Sequence, residues 1–258
     1  MSDDLLRVST TNLSSQSETS HYQHGIPGIP TDGKVVLLKN SSNGALIYLV
    51  GTNHHSVKKV IDNVKPDVVP NFYLQIEQCE KRARSLMKLK PKHATLYKLF
   101  RFSMRTPGGL GVKLGMFLTN CQLRRLFAHG IFPGLDFKVA MEESSRVGAR
   151  CFYIDQDIDV IDQQSPKSSL FDLLMETFCT KARGEVEYTR SYAHEMYSLH
   201  KKLFPDRYKV IIEGRDKFMF TNLRSFQGKI VAVIGLSHMD GIELLWKLAE
   251  EGDKSNVR

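Results

Sequence analysis

Long apolar runs, paired cysteines and nucleotide-binding glycine motifs are all missing from this 258-residue chain. No apolar stretch approaches the roughly 18 to 20 residues needed to span a bilayer, so the sequence predicts no transmembrane helix. The four cysteines are scattered without a Cys-x-x-Cys pair, which indicates reduced thiols in an intracellular, cytoplasmic setting. There is no P-loop, and no Gly-x-Gly-x-x-Gly follows a predicted strand.

The N-terminal region lacks the features of a targeting segment. It has no apolar core of a signal peptide and no arginine-rich, acid-poor composition of an import sequence. Its Ser/Thr-rich composition predicts a disordered tail over residues 1–32. The remaining composition, 41% hydrophobic in the whole chain, predicts one globular domain over residues 33–250 and a short polar tail over 251–258.

Acidic residues are absent from residues 81–125, which contain twelve Lys or Arg. Because the whole chain has a net charge of +8, the rest of the protein is net acidic. Apolar residues alternate with these charges, which predicts a basic amphipathic helical segment. It could be a solvated helical face, but the pattern favours docking on anionic phospholipid over binding nucleic acid, for which no recognition motif is present.

Short β-rich runs alternate with helical patterns along the chain. Two of these runs are continuously apolar, as expected for central strands covered on both faces of a sheet. The alternation predicts an α/β fold with a central, mostly parallel sheet and flanking helices. The predicted strands are residues 45–50, 72–76, 150–154 and 229–234, and the predicted helices are 56–64, 135–149, 168–182, 185–204 and 241–252.

Two segments near opposite ends of the chain share one plan: an apolar strand, Gly, two further residues, His and then a helix. The first contains Gly51 and His54, and the second contains Gly235 and His238. The repetition predicts a pseudo-symmetric pair of strand–Gly-x-x-His–helix units. Because ligands bind beyond the carboxyl ends of strands in open α/β sheets, the two histidines are candidate ligands of one divalent ion.

A metal held by two histidines needs a carboxylate for charge balance or to activate water. Glu77 directly follows the second predicted strand and is the candidate, as metal ligand or general base, with Glu80 as the fallback. Arg82 lies five residues beyond Glu77.

A second polar cluster contains Arg215 and Asp216. Arg215 is a candidate to bind a carboxylate, either of a substrate or of Glu77, although a surface ion pair would have the same sequence pattern. Asp155 and Asp157 end the third predicted strand and are reserve metal ligands.

These residues fall within an ordered set of motifs that resembles the TraB domain family, which is related to the Tiki proteases and GumN-like proteins. The motifs are YLVGTNHHS, PDVV, IEQCEKR, FPGLDFKVAMEESSRVGA, GRDKFM and VAVIGLSHMDGI, spread over residues 45–246. The resemblance implies a fold of the Tiki and erythromycin-esterase type.

For the site, the resemblance implies metal-dependent peptidase chemistry with Mn²⁺ or Co²⁺. It carries the ligand roles to His54, His238 and Glu77, with Arg82 and Arg215 at further polar positions of the family pattern. It also implies peripheral association with an organelle membrane, such as the mitochondrial outer membrane.

Two functional hypotheses follow from the sequence. The first is a metal-dependent hydrolase acting on a peptide or protein, with Mn²⁺, Co²⁺ or Zn²⁺ held by the two histidines and Glu77, and Arg215 orienting the substrate. The alternative is a non-catalytic regulator or adaptor that docks on an organelle membrane through residues 81–125. The substrate, the metal and the oligomeric state are left open by the sequence.

Overall fold

The computed structural model describes residues 24–51, 54–64, 72–87, 95–128, 134–166 and 189–255. Within these residues the strands form a single five-stranded sheet. The strands are β1 (Val35–Lys39), β2 (Leu46–Gly51), β3 (Phe72–Ile76), β4 (Arg150–Tyr153) and β5 (Lys229–Ile234).

Helices connect and cover the strands. They are α1 (His54–Val64), α2 (Glu80–Met87), α3 (Leu96–Arg105), α4 (Leu110–Ala128), α5 (Leu135–Val147), α6 (Ile158–Gln164), α7 (Arg190–Leu203), α8 (Pro205–Tyr208), a π-helix (Lys209–Gly214), α9 (Arg215–Ser225) and α10 (Leu236–Ser255). The predicted α/β class, with a mostly parallel sheet and flanking helices, is confirmed.

The strand order is β1-β2-β5-β3-β4, which places β5 at the centre. β5 pairs in parallel with both β2 and β3, so that Val233 lies opposite Val50 on one side and Ile76 on the other. The two strands that carry the Gly-x-x-His motifs are therefore direct neighbours. β1 was not predicted from the sequence; it pairs antiparallel with β2 at one edge of the sheet.

Two apolar layers cover the two faces of the sheet, which explains why β5 is apolar at every position after Lys229. Val231 and Val233 face a core formed with α1 and α5. Ile230, Ala232 and Ile234 face the opposite core, formed with α7, α9 and α10. Fully buried side chains on both faces fix the position of the strand ends, and thus the position of the residues that follow them.

Packing also explains the glycine at the end of β2. A Cβ atom on Gly51 would lie 2.4 Å from Leu236 Cδ2 and 2.7 Å from Met239 Sδ, both on the first turns of α10. The absence of a side chain at Gly51 therefore lets α10 pack directly against the end of β2.

Two helices begin earlier than the sequence predicts. α1 begins at His54 rather than at residue 56, and α10 begins at Leu236 rather than at residue 241. Both histidines of the repeated motif therefore lie within the first turn of a helix instead of in the loop before it. α5 ends at a glycine cap: Gly148 has φ 68°, and its N–H donates to the carbonyl oxygens of Ser144 and Ser145.

Several predicted features lie outside the described residues. These include most of the predicted tail over 1–32 and the predicted helix over 168–182. Ile26 and Ile29, which precede the predicted domain boundary at residue 33, pack into the core beside α1 and α5. Among the described residues, no helix combines the length and the apolarity that crossing a bilayer requires.

Candidate functional site

The candidate site lies at the carboxyl ends of the two neighbouring strands β3 and β5. Glu77 follows the last residue of β3, and its N–H donates to the Val233 carbonyl of β5, 3.0 Å away. His238 lies in the first turn of α10, which begins one residue after Gly235. The parallel pairing of β3 and β5 thus brings residues that are 161 positions apart in sequence to the same edge of the sheet.

The Glu77 carboxylate is buried and bound on both oxygens. Its Oε1 atom accepts a hydrogen bond from Arg215 Nη2 at 2.5 Å and lies 3.3 Å from His238 Nε2. Its Oε2 atom accepts the backbone N–H of Gly235 at 2.5 Å. A Cβ atom at Gly235 would lie only 3.1 Å from Oε2, so the glycine allows the backbone to approach the carboxylate this closely.

The His238 ring is oriented from its other side by Asp216. The Nδ1 atom of His238 donates to Asp216 Oδ1 at 2.5 Å, which leaves Nε2 pointing toward Glu77. Asp216 is the second residue of α9 and packs so closely on α10 that a Cβ atom at Gly241 would lie 2.0 Å from Asp216 Oδ2. A glycine at position 241 is therefore needed for the contact between Asp216 and His238.

Arg215 links two carboxylates in the interior. Its Nε and Nη2 atoms donate to the two oxygens of Asp155 at 2.9 and 2.8 Å, while Nη2 also donates to Glu77. Asp155 additionally accepts from Arg82 Nη1 at 2.8 Å. The result is an alternating series of charges in which Glu77, Arg215 and Asp155 are buried and Arg82 is partly exposed.

A π-helix positions this arginine. Lys209–Gly214 form the π-helix that runs directly into α9, and Arg215 is the first α-helical residue after it. Such widened turns are rare and occur often at functional sites. The Ile211 carbonyl within this segment accepts from Arg215 Nη1 at 3.3 Å, so the irregular turn itself helps to hold the guanidinium.

The pKa values follow from burial and pairing. Burial favours the neutral carboxyl of Glu77, but His238, Arg215 and the Gly235 N–H together hold its pKa well below its usual range. Burial disfavours the charged imidazole of His238, yet Glu77 and Asp216 raise its pKa to about 9. Burial also raises the pKa of Asp216 above its ordinary value. Near neutral pH, Glu77 is ionised and the metal-free His238 is protonated.

The spacing of Glu77 and His238 fits two ligands of one metal ion. Two atoms each about 2.1 Å from a tetrahedral ion are about 3.4 Å apart, and the Oε1–Nε2 distance is 3.3 Å. A metal-bound histidine commonly donates its second ring nitrogen to a carboxylate, as His238 does to Asp216. Metal binding would require His238 to lose its Nε2 proton.

The third predicted ligand, His54, begins α1 after β2, but its side chain lies outside the described residues. Among the side chains that the structure describes, no group of three or more His, Cys, Asp and Glu residues is arranged to hold a metal. Glu80 is exposed and pairs with Arg84, and Asp157 caps α6 through the Asp159 N–H. Within the part of the chain that the structure describes, neither Glu80 nor Asp157 is paired with a residue of the cluster around Glu77.

A cavity of about 380 Å³ lies beside the cluster and reaches it from the side of Arg82 and Arg215. Its remaining lining is mixed, with isoleucines, a proline and polar side chains: Ile158, Ile161, Asp162, Ser165, Pro166, Arg207 and Ile211. Glu77 and His238 do not line this space, so a molecule in the cavity would meet the arginines first.

Sequence reasoning selected Glu77, Arg215 and His238, and the structure brings these three together. It did not identify the pairing of Asp216 with His238, and it treated Asp155 only as a reserve metal ligand. Asp155 instead binds two arginines and has no exposed side-chain surface. Both omissions involve contacts between α9 and other elements of the fold. The sequence next to these residues contains no pattern that predicts such contacts.

Known proteins show a consistent similarity to this chain. An uncharacterized protein of Methanocaldococcus jannaschii is 28% identical over 83% of the chain and 56% of its own length. TraB domain-containing proteins of Bos taurus and Homo sapiens are 26% and 25% identical, each over 80% of the chain and 64% of its own length. No family model matches the chain.

The predicted resemblance to TraB domain-containing proteins is confirmed by these matches. The chain covers between about half and two thirds of the length of these relatives. The similarity to the bovine protein extends over about four fifths of this chain.

Proposed function

We propose that this chain is a metal-dependent hydrolase with peptidase-like activity. Its metal ligands are His238, Glu77 and the histidine at the start of α1, His54. The bound ion is Mn²⁺, Co²⁺ or Zn²⁺. When bound, such an ion supplies a water of lowered pKa and polarises a carbonyl group.

The observation that carries this proposal is the convergence of Glu77 and His238 with a third group behind the imidazole. Asp216 binds the His238 Nδ1 proton, which fixes the tautomer in which Nε2 is the free lone pair once the ring is neutral.

The surrounding residues have distinct tasks in this proposal. Arg215 keeps Glu77 ionised and fixed in position, since it donates to Oε1 and is itself held by both oxygens of Asp155. The Gly235 N–H holds the second oxygen of Glu77. Arg82 has about a third of its side chain exposed and lines the adjacent cavity, so it is placed to contact a substrate carbonyl or carboxylate.

The test is the metal content of the full chain after incubation with Mn²⁺, Co²⁺ or Zn²⁺ and gel filtration, measured by elemental analysis. The expected result is about one ion per chain in the wild type and little in the variant His238→Gln. His194→Gln is the matched control, because His194 is an exposed histidine of α7 outside the cluster. Equal metal content in all three proteins would refute the site.

A peptide-library digest with the metal-loaded protein then tests the reaction. Cleavage that disappears with a chelator, returns with the metal and is absent in Glu77→Gln supports the hydrolase. Glu77→Gln keeps the size of the side chain while removing its charge, and circular dichroism checks that this variant is folded. Cleavage that persists in Glu77→Gln would point to a contaminating protease.

A second candidate function is that of a non-catalytic regulator or adaptor. The observation that favours it is the internal charge balance of the cluster. Its three carboxylates are matched by two arginines and a protonated His238, and the paired groups are Glu77, Asp155 and Asp216 with Arg82, Arg215 and His238. A chain that binds no metal, but whose cavity beside Arg82 binds peptides in a library pull-down, would support this candidate over the hydrolase.

A further inference from the structure

The helices α3 and α4 form a hairpin that packs mainly on itself. The Phe100 and Phe117 rings meet edge-on with centroids 5.6 Å apart, and Asn120 Nδ2 donates to Ser103 Oγ at 3.2 Å. In the part of the chain that the structure describes, the extensive contacts of each helix are with the other, and neither packs extensively on the sheet. The hairpin is a defined unit with two largely uncovered sides.

Large apolar side chains are exposed on this hairpin. On α3, Tyr97 is 70% exposed and Phe102 is 61% exposed, and on α4 Leu110 is 78% exposed. Further exposed apolar side chains of the hairpin are Leu96, Phe100, Val112, Leu114 and Met116. A folded protein rarely leaves this much apolar surface in one unit without a binding partner.

The apolar residues of α3 occupy a wider arc than α4 covers. Successive helical residues are about 100° apart, so Leu96, Tyr97 and Phe100 fall within about 100° of one another. Leu99 and Ser103 lie on the more buried side of the helix, toward α4. The exposed apolar arc is thus a continuation of the surface that packs against α4.

Basic residues lie next to this apolar arc. Lys98, Arg101 and Arg105 fall on an adjacent arc about 60° wide, and all three are exposed. The whole basic segment, residues 81–125, contains no acidic residue. The hairpin therefore has no internal carboxylates of its own to neutralise these charges.

We propose that the α3–α4 hairpin docks on the surface of an anionic phospholipid bilayer. The exposed aromatic and aliphatic side chains insert at the level of the headgroups, and the adjacent lysine and arginines bind lipid phosphates and carboxylates. An apolar arc beside a basic arc matches the interface of such a bilayer, whereas a purely polyanionic partner would leave the apolar arc in water. The inference does not depend on the hydrolase, because no residue of the buried cluster belongs to the hairpin.

The test is co-sedimentation of the full chain with vesicles of phosphatidylcholine alone and of phosphatidylcholine containing about one quarter phosphatidylserine. The expected result is binding to the anionic vesicles only, with a partition coefficient that falls steeply as salt is raised. Binding to neither kind of vesicle, or equal binding to both, would overturn the proposal.

Charge variants identify the surface. Each basic residue near an anionic bilayer contributes about fivefold to the partition coefficient, so Arg101→Gln with Arg105→Gln should reduce it about 30-fold. The matched control is Lys202→Gln with Lys247→Gln, which removes the same charge from exposed helical positions outside the hairpin. Equal losses in both double variants would mean that net charge, and not the hairpin, causes binding.

An apolar variant distinguishes a bilayer from other polyanions. Tyr97→Ser should lower vesicle binding about tenfold, since burying such a side chain contributes strongly to transfer from water. Leu248→Ser, at an exposed position of α10, is the control and should bind like the wild type. If Tyr97→Ser leaves vesicle binding unchanged, the hairpin binds polyanions in general and the lipid proposal is wrong. The same conclusion follows if duplex DNA competes with vesicles as strongly for Tyr97→Ser as it does for the wild type.

Discussion

The replacement Arg215→Met tests the charge arrangement of the buried site. Methionine fills much of the same volume but leaves Glu77 with His238 alone and Asp155 with Arg82 alone. Removing one partner of a buried ion pair costs about 3 to 5 kcal/mol, because the remaining charge stays in the interior. For a chain of this size, the midpoint of thermal unfolding should fall on the order of 10 °C.

The assay is urea unfolding of wild type and Arg215→Met between pH 2 and pH 8 in chelator. Arg215 helps to hold the folded-state pKa of Glu77 well below its unfolded-state value of 4.5, so this contribution to stability is fully present above pH 4.5 and is lost as the pH falls through the lower folded-state pKa. The stability difference between the two proteins should therefore be nearly constant above about pH 5 and shrink toward pH 2.

The control for this experiment is Lys81→Gln, which removes an exposed ion pair with Asp159. Both of these side chains are about 60% exposed, so we expect no measurable loss of stability. A loss in Arg215→Met no larger than the loss in Lys81→Gln, or one that does not change with pH, would refute the reasoning.

Three further predictions concern the packing around this site. The pKa of His238 is raised from 6.5 to about 9 in the folded protein, so the protonated ring stabilises the metal-free fold fully below pH 6.5. On the order of 3 kcal/mol of this stability is lost as the pH rises through 9. A urea-unfolding free energy that stays constant over this pH range would contradict this prediction. Asp216→Asn should weaken metal binding about 10- to 100-fold in a competition titration with a chelating dye, and unchanged affinity would show that its contact with the imidazole is irrelevant. Gly51→Ala should cost about 1 to 3 kcal/mol by thermal melting, since the new Cβ would overlap buried side chains of α10. Gly111→Ala, in open space on α4, should cost nothing, and similar melting points for the two alanine variants would contradict the packing argument.

The strands that carry the site could be predicted from the sequence because burial on both faces produces short, continuously apolar runs. β5 was predicted with its observed bounds for this reason. β1 was missed, because its sequence is similar to that of a short apolar loop between lysines and its pairing with β2 is antiparallel. The neighbouring placement of β2 and β5 follows from the sheet order, which sequence patterns do not specify.

The start of α10 shows why the surroundings of His238 could not be predicted. Gly241 lies in the second turn and suggests a helix that begins only there, whereas the helix begins at Leu236. The glycine is explained by the close approach of Asp216 from α9. Contacts of this kind depend on the packing of two helices that are adjacent only in the folded chain, so Asp216 was identified only as a supporting residue.

The central claim is that one divalent ion binds between Glu77 and His238. Anomalous diffraction from crystals grown with Mn²⁺ tests it most directly. The account predicts a peak about 2.0 to 2.3 Å from both Glu77 Oε1 and His238 Nε2, with the contact of His238 Nδ1 to Asp216 retained. A crystal in which these two atoms stay in direct contact and the anomalous density lies elsewhere, or is absent, would contradict it.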